Sequence, residues 1–252
     1  MYIRRHADIL DAMPVALITG GAKRVGRAIV NRLCDGGFDI AFTYLNSAAD
    51  AQSLVAEINS KGRKAIAIKA DLTDPPQAVS QITKGWKEAF GRLNLLVNSA
   101  SLYEEGTLAQ TDSAQIRRAY AIHVESPILL CQALAEALRA ASGRIVNMVD
   151  FQAEKPVPQY LAYCASKAAL VNLTLNLARE LAPQVTVNGI APGIVEWPKD
   201  FPQMEKDKYL KRVPLARAGT PQDVAELVYF LATAGSYITG QIIRLDGGRS
   251  IT

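Results

Sequence analysis

Short runs of apolar and β-branched residues alternate with longer segments of helical period through most of this 252-residue chain, and that alternation constrains the fold more than any other feature. Seven strands are predicted, at 15–19, 38–44, 64–70, 93–98, 144–149, 185–191 and 241–246. Six helices are predicted between them, at 24–35, 48–61, 76–90, 112–140, 160–182 and 221–234. Strands that are apolar along their whole length are typical of parallel sheets covered on both faces. Right-handed crossovers then predict a doubly wound α/β sheet with helices on both faces.

The predicted elements form a single Rossmann-like domain that extends from residue 14 to residue 252. Residues 1–13 carry charges throughout and contain no apolar core, so we interpret them as an N-terminal leader and not as a secretory signal. Residues 192–214 are irregular, because four prolines interrupt a mixed sequence there. Long connections often cover a substrate, and we expect 192–214 to be a substrate loop.

Composition narrows the classes of function. The net charge is +4 and the basic residues are scattered, which does not favour a nucleic-acid partner. No apolar run approaches the roughly 18 residues that cross a membrane, so no membrane partner is expected. Cys34, Cys131 and Cys164 show no metal-ligand spacing, and we expect free thiols in a reducing compartment. These features favour a cytoplasmic enzyme that acts on a small molecule without a metal.

A glycine-rich turn, Thr19–Gly26 with the sequence TGGAKRVG, joins the first predicted strand to the first helix. Backbone amides in such a turn can approach a pyrophosphate closely, and the helix N-terminus adds partial positive charge. The strict G-x-G-x-x-G spacing is absent, so the position of the turn carries the interpretation. We expect Gly20, Lys23, Arg24 and Val25 to contact a dinucleotide. Alternatively, the glycines serve only to make the turn tight.

The end of the second predicted strand indicates which dinucleotide binds. An acidic residue there would bind the ribose 2′-hydroxyl of NAD and repel the 2′-phosphate of NADP. The strand ends at Tyr44, followed by Asn46 and Ser47, and no carboxylate occurs before Asp50. Together with the two cations of the glycine-rich turn, these side chains favour NADP. Asn46 and Ser47 could also cap the next helix, and the two roles are compatible.

Tyr163 and Lys167 are four residues apart in the predicted helix 160–182, which places both side chains on one face. A phenol has a reference pKa of about 10 and gives up its proton poorly near neutrality. A neighbouring cation favours the phenolate, so we expect Lys167 to lower the pKa of Tyr163 toward a useful range. The spacing therefore predicts a catalytic pair.

With these motifs, the chain resembles the short-chain dehydrogenases/reductases from Pro14 to Thr252. The shared landmarks are the Thr19–Gly26 turn, Asp71-Leu72, Asn98-Ser99-Ala100, Tyr163 with Lys167, Asn188, Pro192-Gly193 and Asp246-Gly247-Gly248. The resemblance implies that Tyr163 donates a proton, that Lys167 binds the nicotinamide ribose, and that the chain forms a homotetramer through helices 112–140 and 160–182 and the C-terminal strand. The residues then expected to bind NADP are Gly20, Lys23, Arg24, Val25, Tyr44, Asn46, Ser47, Asp71, Leu72, Asn98, Ala100, Ser101, Tyr163, Lys167, Pro192 and Gly193.

Asp150 stands thirteen residues before Tyr163, where most members of the family carry a serine that holds a substrate carbonyl. An ionised carboxylate cannot donate to a carbonyl oxygen, so a simple ketone is a less natural substrate. A carboxylic acid beside a phenol can instead relay a proton to a ring nitrogen or anchor ring N–H groups. Alternatively, Asp150 only ends the strand or caps a turn.

Two further departures concern the expected substrate. Arg24 replaces a glycine of most members, and its guanidinium can reach both phosphates and a flat substrate. Tyr103 follows Ser101 beyond the fourth strand, where an aromatic ring could stack a flat substrate against the nicotinamide. Together with Asp150, these features resemble the pteridine reductases within the family, which implies reduction of a dihydropterin by NADPH. The residues expected to contact the pterin are Arg24, Ser101, Tyr103, Asp150 and Tyr163, with Asp150, Tyr163 and Lys167 as the catalytic group.

Two positions leave alternatives open. His123 stands where many members carry an asparagine that supports the lysine through water, and it is either a hydrogen-bonding or a structural residue. Asn46 stands where pteridine reductases often carry arginine. A ketone or 3-oxoacyl-thioester reductase of the same family is the first alternative function. A regulatory protein that senses NADP without turnover is the second, although it would not need to keep the Tyr163–Lys167 pair.

Overall fold

The computed structural model describes residues 13–198 and 200–252, so of the predicted leader only Met13 lies within the described residues. Seven strands form one parallel sheet in the order β3-β2-β1-β4-β5-β6-β7, which confirms the predicted fold class. The strands are β1 Val15–Ile18, β2 Asp39–Tyr44, β3 Ala65–Lys69, β4 Leu95–Asn98, β5 Arg144–Met148, β6 Thr186–Pro192 and β7 Ile242–Leu245.

The described helices follow the predicted segments closely. They are α1 Arg24–Asp35, α2 Ala48–Ser60, α3 Pro75–Ala89, α4 Ser113–Tyr120, α5 Ser126–Ala140, α6 Leu161–Glu180, α7 Gln203–Leu210 and α8 Pro221–Thr233. Two features were not predicted. A π-helical segment, Ala121–Glu125, separates α4 from α5 within the predicted helix 112–140. Helix α7 lies inside the predicted loop 192–214, so that region is not irregular throughout.

Both faces of the sheet are covered, as the alternation of side chains in β1 illustrates. Ala16 and Ile18 pack in one core with apolar residues of α1, α2 and α8. Val15 and Leu17 face the other way, into a second core with residues of α3, α5 and α6. All four side chains are fully buried, which explains why the strand is apolar at every position.

The helical stretch Ser113–Ala140 is long and apolar enough to cross a membrane by length and composition alone. Its apolar side is occupied within the fold, because Leu130, Leu134 and Leu138 are fully buried in the second core. A core helix of a globular protein meets the same criterion, so this stretch is only weak evidence of a membrane span.

The strand order reverses direction between β1 and β4, and the loops after these two strands meet at the carboxyl edge of the sheet. The Thr19 hydroxyl accepts hydrogen bonds from the backbone N–H groups of Ser99 and Ala100, at 2.9 and 3.0 Å. Crevices at such a reversal are where doubly wound sheets bind their ligands. The fold therefore brings the glycine-rich turn and the Asn98–Ala100 segment to one cleft.

Candidate active site

The glycine-rich turn is shaped by two close backbone approaches. Gly20 has a φ of +70°, and a side chain there would come within 3.0 Å of the Ala100 Cα. A Cβ at Gly26 would lie 2.1 Å from the carbonyl oxygen of Gly20. Only glycine fits at these two positions, and the tight turn leaves α1 starting at the cleft. The turn thus has the form expected of a cradle for a dinucleotide pyrophosphate.

Arg24 occupies an unusual backbone position at the start of α1. Its φ is +52°, in the left-handed region that favours glycine. The exposed guanidinium reaches across the cleft, where its Nε donates to Glu196 Oε2 at 2.5 Å. Lys23 beside it forms an ion pair with Asp50 at 3.0 Å. Sequence reasoning did not identify Glu196, which lies in the predicted substrate loop.

The end of β2 presents polar side chains at the same edge. Asn46 is exposed, and Tyr44 and Ser47 are partly exposed. Ser47 is the N-cap residue of α2, but its side chain makes no capping hydrogen bond. The proposed capping role is therefore not observed for Ser47, and its hydroxyl can serve a ligand instead.

Asp150 lies just after β5 and Tyr163 in the first turn of α6, and a short hydrogen bond joins them. The phenol of Tyr163 donates to Asp150 Oδ2 at 2.7 Å. The other carboxylate oxygen accepts from the backbone N–H of Gln152 at 2.8 Å, so Asp150 also caps the turn Phe151–Ala153. The two interpretations of Asp150 are thus compatible, since one oxygen serves the backbone and the other faces the phenol.

Burial, and then the contact between the two side chains, set the acid–base properties of Asp150 and Tyr163. Burial raises the pKa of Asp150, although the hydrogen bonds from Gln152 and Tyr163 oppose that rise. Burial, and then the neighbouring Asp150, raise the pKa of Tyr163 well above 10. The expectation that Lys167 lowers the pKa of Tyr163 is therefore wrong for this arrangement, because the carboxylate is closer to the phenol than the ammonium is. The raised pKa keeps the proton on the Tyr163 phenol.

Lys167 lies one helical turn after Tyr163 and is only 2% exposed. Its Nζ donates to the carbonyl oxygen of Met148 at 2.7 Å and lies 5.7 Å from the centre of the Tyr163 ring. Burial lowers the pKa of Lys167 to about 8. The predicted placement of both side chains on one helical face is confirmed, but Lys167 is anchored to the strand end and not to the phenol.

Tyr103 forms part of a group of three tyrosines at the cleft. Its ring meets the Tyr163 ring edge-on, with centroids 4.7 Å apart, and stacks on Tyr160 at 4.1 Å. The hydroxyl accepts from the Gln152 side-chain amide at 3.3 Å. Tyr103 is still 51% exposed. Tyr160 supports one face of the ring, so Tyr103 is a fixed platform at the mouth of the site and not a free side chain.

The segment that carries Ser101 and Tyr103 is tied to the catalytic helix region. The N–H of Gly106 donates to the Gln159 carbonyl at 2.6 Å, and the Leu161 N–H donates to the Gly106 carbonyl at 3.3 Å. Gln115 of α4, which is buried, donates from its side chain to the Glu105 carbonyl at 2.8 Å. No sequence motif identified Gln115 or Gly106, because their role depends on contacts between segments distant in the chain.

The other predicted cofactor residues lie around the same edge. Asn98 donates to the Asn147 side chain at 2.8 Å, and its own Oδ1 is buried without a hydrogen-bond partner in the described part of the chain. Asp71 is exposed and accepts from the Thr73 N–H at 2.9 Å, with Leu72 beside it. Gly193, after Pro192, donates to the Leu245 carbonyl at 3.0 Å. An orphaned buried acceptor at Asn98 is a position that a ligand or water would satisfy.

The substrate-loop region contributes an aromatic cluster that sequence reasoning missed. Trp197 stacks on Phe201 with centroids 5.2 Å apart and meets Tyr209 of α7 edge-on at 5.6 Å. The Tyr209 hydroxyl accepts from the Ile194 N–H at 3.0 Å, which holds α7 against the strand end. This cluster forms the side of the cleft that follows β6.

Comparisons with known proteins agree with this geometry. A family model described as "Enoyl-(Acyl carrier protein) reductase" matches residues 20–250. Pteridine reductase 1 of Leishmania tarentolae is 33% identical over 280 residues, which cover 95% of this chain and 97% of that protein. A 3-oxoacyl-[acyl-carrier-protein] reductase of Synechocystis sp. is 33% identical over 239 residues, covering 93% and 96%.

A solved structure is similar over nearly the whole chain. FolM Alternative dihydrofolate reductase 1 from Brucella canis, complexed with NADP, superposes with a TM-score of 0.86 at 34% identity and covers 95% of both chains. The cofactor in that complex is the one that the sequence of this chain predicts. With a family match from the glycine-rich turn to the C-terminal strand, the chain belongs to the short-chain dehydrogenase/reductase family and is an oxidoreductase.

Proposed function

We propose that this protein is an NADPH-dependent reductase of a C=N bond in a dihydropterin, such as dihydrobiopterin, dihydromonapterin or dihydrofolate. The observation that carries this proposal is the 2.7 Å hydrogen bond between the Tyr163 phenol and Asp150, at the position where a carbonyl reductase of this family carries a serine. A carboxyl group there suits a nitrogen heterocycle, which offers N–H groups and ring nitrogens.

The cleft fits NADPH, which supplies a hydride when bound. The Gly20–Gly26 turn is tight, because a Cβ at either glycine would collide with backbone, and it leaves the N-terminus of α1 at the cleft, where a pyrophosphate would bind. The phosphates of the adenosine half would be bound by residues of the turn and of the end of β2, namely Lys23, Arg24, Val25, Tyr44, Asn46 and Ser47. Asp71 and Leu72 would lie near the adenine. The rest of the NADPH site would be lined by Asn98, Ala100, Ser101, Pro192 and Gly193. The lack of a carboxylate directly after β2 supports the phosphorylated cofactor.

Proton delivery would use the chain's own acid pair. Reduction of C=N adds a hydride to carbon and a proton to nitrogen, and Tyr163 Oη would donate that proton. Asp150, in its protonated form, would return a proton to the phenolate through the 2.7 Å hydrogen bond, and solvent would reprotonate Asp150. The raised pKa of Asp150 supports this role, since it keeps the acid form available at higher pH. Lys167 would hold the nicotinamide ribose.

A flat substrate would be held by three features of the cleft. Tyr103 presents a supported ring that is half exposed. Arg24 reaches over the cleft from α1 to Glu196, and Ser101, two residues before Tyr103, is exposed. The name of the Leishmania relative, a pteridine reductase, supports the same substrate class.

The second candidate function is reduction of a ketone or 3-oxoacyl thioester, and the Synechocystis relative favours it. Asp150 argues against this candidate, because both of its carboxyl oxygens accept hydrogen bonds, from the Gln152 N–H and the Tyr163 phenol, and neither is placed as a serine hydroxyl would be to hold a substrate carbonyl. A sensor of NADP without turnover is disfavoured by the intact Tyr163 and Lys167.

We further propose that the protein assembles as a homotetramer in the cytoplasm. Exposed apolar side chains on α4, α5 and α6 support an assembly through the long helices. They are Ile116, Tyr120, Ile128, Leu161 and Leu175.

A substrate panel tests the proposed function. Purified protein with NADPH is given dihydrobiopterin, dihydrofolate, simple ketones and a 3-oxoacyl thioester, and the loss of NADPH absorbance is followed. We expect turnover of a dihydropterin at a kcat/KM that exceeds that of every carbonyl substrate. Activity with carbonyl substrates alone would contradict the proposal. The same panel with NADH tests the cofactor.

A further inference from the structure

His123 is the central residue of the π-helical segment and is 1% exposed. Its Nδ1 lies 2.8 Å from Ser166 Oγ, and its Nε2 lies 2.9 Å from Ser101 Oγ and 3.3 Å from the backbone nitrogen of Leu102. One imidazole therefore joins the catalytic helix α6 to the segment that carries the substrate-facing Ser101. The proposed function gives His123 no role.

The hydrogen positions in this cluster follow from one backbone group. The Leu102 N–H can only donate, so Nε2 of His123 must be an acceptor and carries no hydrogen. A hydrogen on Nε2 would oppose the Leu102 N–H directly. The remaining hydrogen of a neutral imidazole is then on Nδ1, which donates to Ser166 Oγ.

The hydrogen bonds of Ser166 agree with a hydrogen on Nδ1 of His123. Ser166 uses its own hydroxyl hydrogen to donate to the Tyr163 carbonyl at 2.8 Å, so its oxygen is available to accept from Nδ1. Burial, followed by the nearby Lys167, lowers the pKa of His123 to about 2, so a second hydrogen on the ring is disfavoured. The chain of donors therefore has one direction, from His123 through Ser166 to the backbone of α6.

The hydrogen on Nδ1 of His123 also determines whether the Ser101 hydroxyl donates or accepts. Since Nε2 has no hydrogen, the 2.9 Å contact is a hydrogen bond only if Ser101 donates. Tyr163 is another acceptor nearby, and Ser101 partly offsets the rise in its pKa, but the hydrogen bond that the Ser101 side chain makes within the described residues is the 2.9 Å contact with His123. The hydroxyl hydrogen of Ser101 points inward, and the exposed oxygen keeps its lone pairs for the cleft.

We infer that His123 is a positioning residue that commits the Ser101 hydroxyl hydrogen to itself, so that Ser101 meets the substrate only as a hydrogen-bond acceptor. The group selected at this point is an N–H or amino group, and a carbonyl or carboxylate oxygen would be disfavoured. This inference rests on the proposed function, because a dihydropterin carries such an amino group and a 3-oxoacyl chain does not.

Two substitutions separate this role from simple support of α6. His123→Gln can retain an acceptor near the Nε2 position, which faces Ser101, whereas His123→Asn can retain a donor near the Nδ1 position, which faces Ser166. The substrates are a dihydropterin and its 2-deamino analogue, in which hydrogen replaces the amino group. We expect the wild-type preference for the amino compound, measured as the ratio of kcat/KM, to fall about tenfold in His123→Asn and in Ser101→Ala. We expect His123→Gln to keep this kcat/KM ratio within about threefold of the wild-type value.

The reverse order, with His123→Asn keeping the preference and His123→Gln losing it, would overturn the inference. An equal loss of the preference in both variants, at matched thermal stability, would also overturn the inference. It would indicate that His123 only supports helix α6.

The tautomer can be measured without any substrate. The chain has two histidines, His6 and His123, so a His6→Gln variant gives a single ¹⁵N-labelled imidazole. We expect nitrogen NMR of the whole protein to report a hydrogen on Nδ1 and none on Nε2. A hydrogen on Nε2 would overturn the inference even if pterins are reduced. Failure to reduce any pterin would instead contradict the proposed function, and the NMR result would still decide the state of His123.

Discussion

The cleft carries two groups of ionisable side chains that differ in their surroundings. The inner group is Asp150, Tyr163 and Lys167, in which the phenol and the ammonium are 6% and 2% exposed. The outer pair is Arg24 with Glu196, whose side chains are 65% and 37% exposed. The phenol–carboxyl contact is 2.7 Å and the ion pair is 2.5 Å, so distance alone does not distinguish the two.

The inner group and the outer pair differ in their exposure to solvent. In the inner group, burial shifts the pKa of every member, raising it for Asp150 and Tyr163 and lowering it for Lys167 to about 8. Water and salt screen the outer pair, and such pairs contribute only about 0–1 kcal/mol to stability. We therefore expect substitutions in the inner group to change the chemistry and those in the outer pair to change ligand binding slightly.

The largest effect is expected for Tyr163→Phe. Removing the phenol removes the proposed proton donor, and kcat should fall by about 10²–10⁴-fold. The matched control is Tyr160→Phe, which removes a nearby phenol that bonds to Glu105 away from the inner group. Steady-state kinetics with a dihydropterin, together with thermal unfolding of both variants, measure the contrast. Comparable kcat values for the two variants would show that the inner group does not carry the proton.

The pH profile should be set by Lys167. Its pKa of about 8 means that the ammonium loses its charge above that pH, so kcat/KM for NADPH should fall on the alkaline side. Asp150 raises the pKa of Lys167, and Asp150→Asn removes that effect. The alkaline limb should therefore move to lower pH in Asp150→Asn. A limb that stays in place or moves upward would contradict the assignment to Lys167.

Lys23→Gln probes the outer side of the cleft, where a 2′-phosphate would bind. Loss of one charged hydrogen-bond donor should raise KM for NADPH about tenfold and leave KM for NADH within about twofold. Lys84→Gln is the control, since Lys84 is an exposed lysine on α3. Equal changes for both cofactors would indicate that Lys23 does not contact the 2′-phosphate.

The smallest effect is expected for Glu196→Gln. The free energy of unfolding should change by less than about 0.5 kcal/mol, because the ion pair is exposed. Releasing Arg24 should lower KM for NADPH by no more than about threefold. Chemical denaturation and kinetics at low and high salt measure both quantities. A loss of stability above about 2 kcal/mol would place the outer pair in the same class as the inner group.

The sequence predicted the sheet well because its signals are local. Strand periodicity, the TGGAKRVG turn and the spacing of Tyr163 and Lys167 each lie within a few residues of one another. The directions of the pKa shifts were not predictable in this way. Asp150 is thirteen residues from Tyr163, and only the fold places its carboxylate closer to the phenol than the ammonium of Lys167.

Contacts between distant segments explain why the sequence did not predict other features of the site. His123 reaches Ser101 and Ser166 because a π-helical segment interrupts the helix, and Glu196 reaches Arg24 across the cleft. Helix α7 has few apolar residues and no side-chain N-cap, so the sequence offered little signal for it.

The central claim is that Asp150 directs this reductase toward a pterin C=N bond and away from a carbonyl. The most direct measurement is the ratio of kcat/KM for a dihydropterin to that for a 3-oxoacyl thioester, in the wild type and in Asp150→Ser. We predict that the ratio falls by about 10²-fold or more in Asp150→Ser, with KM for NADPH little changed. An unchanged ratio would contradict the claim.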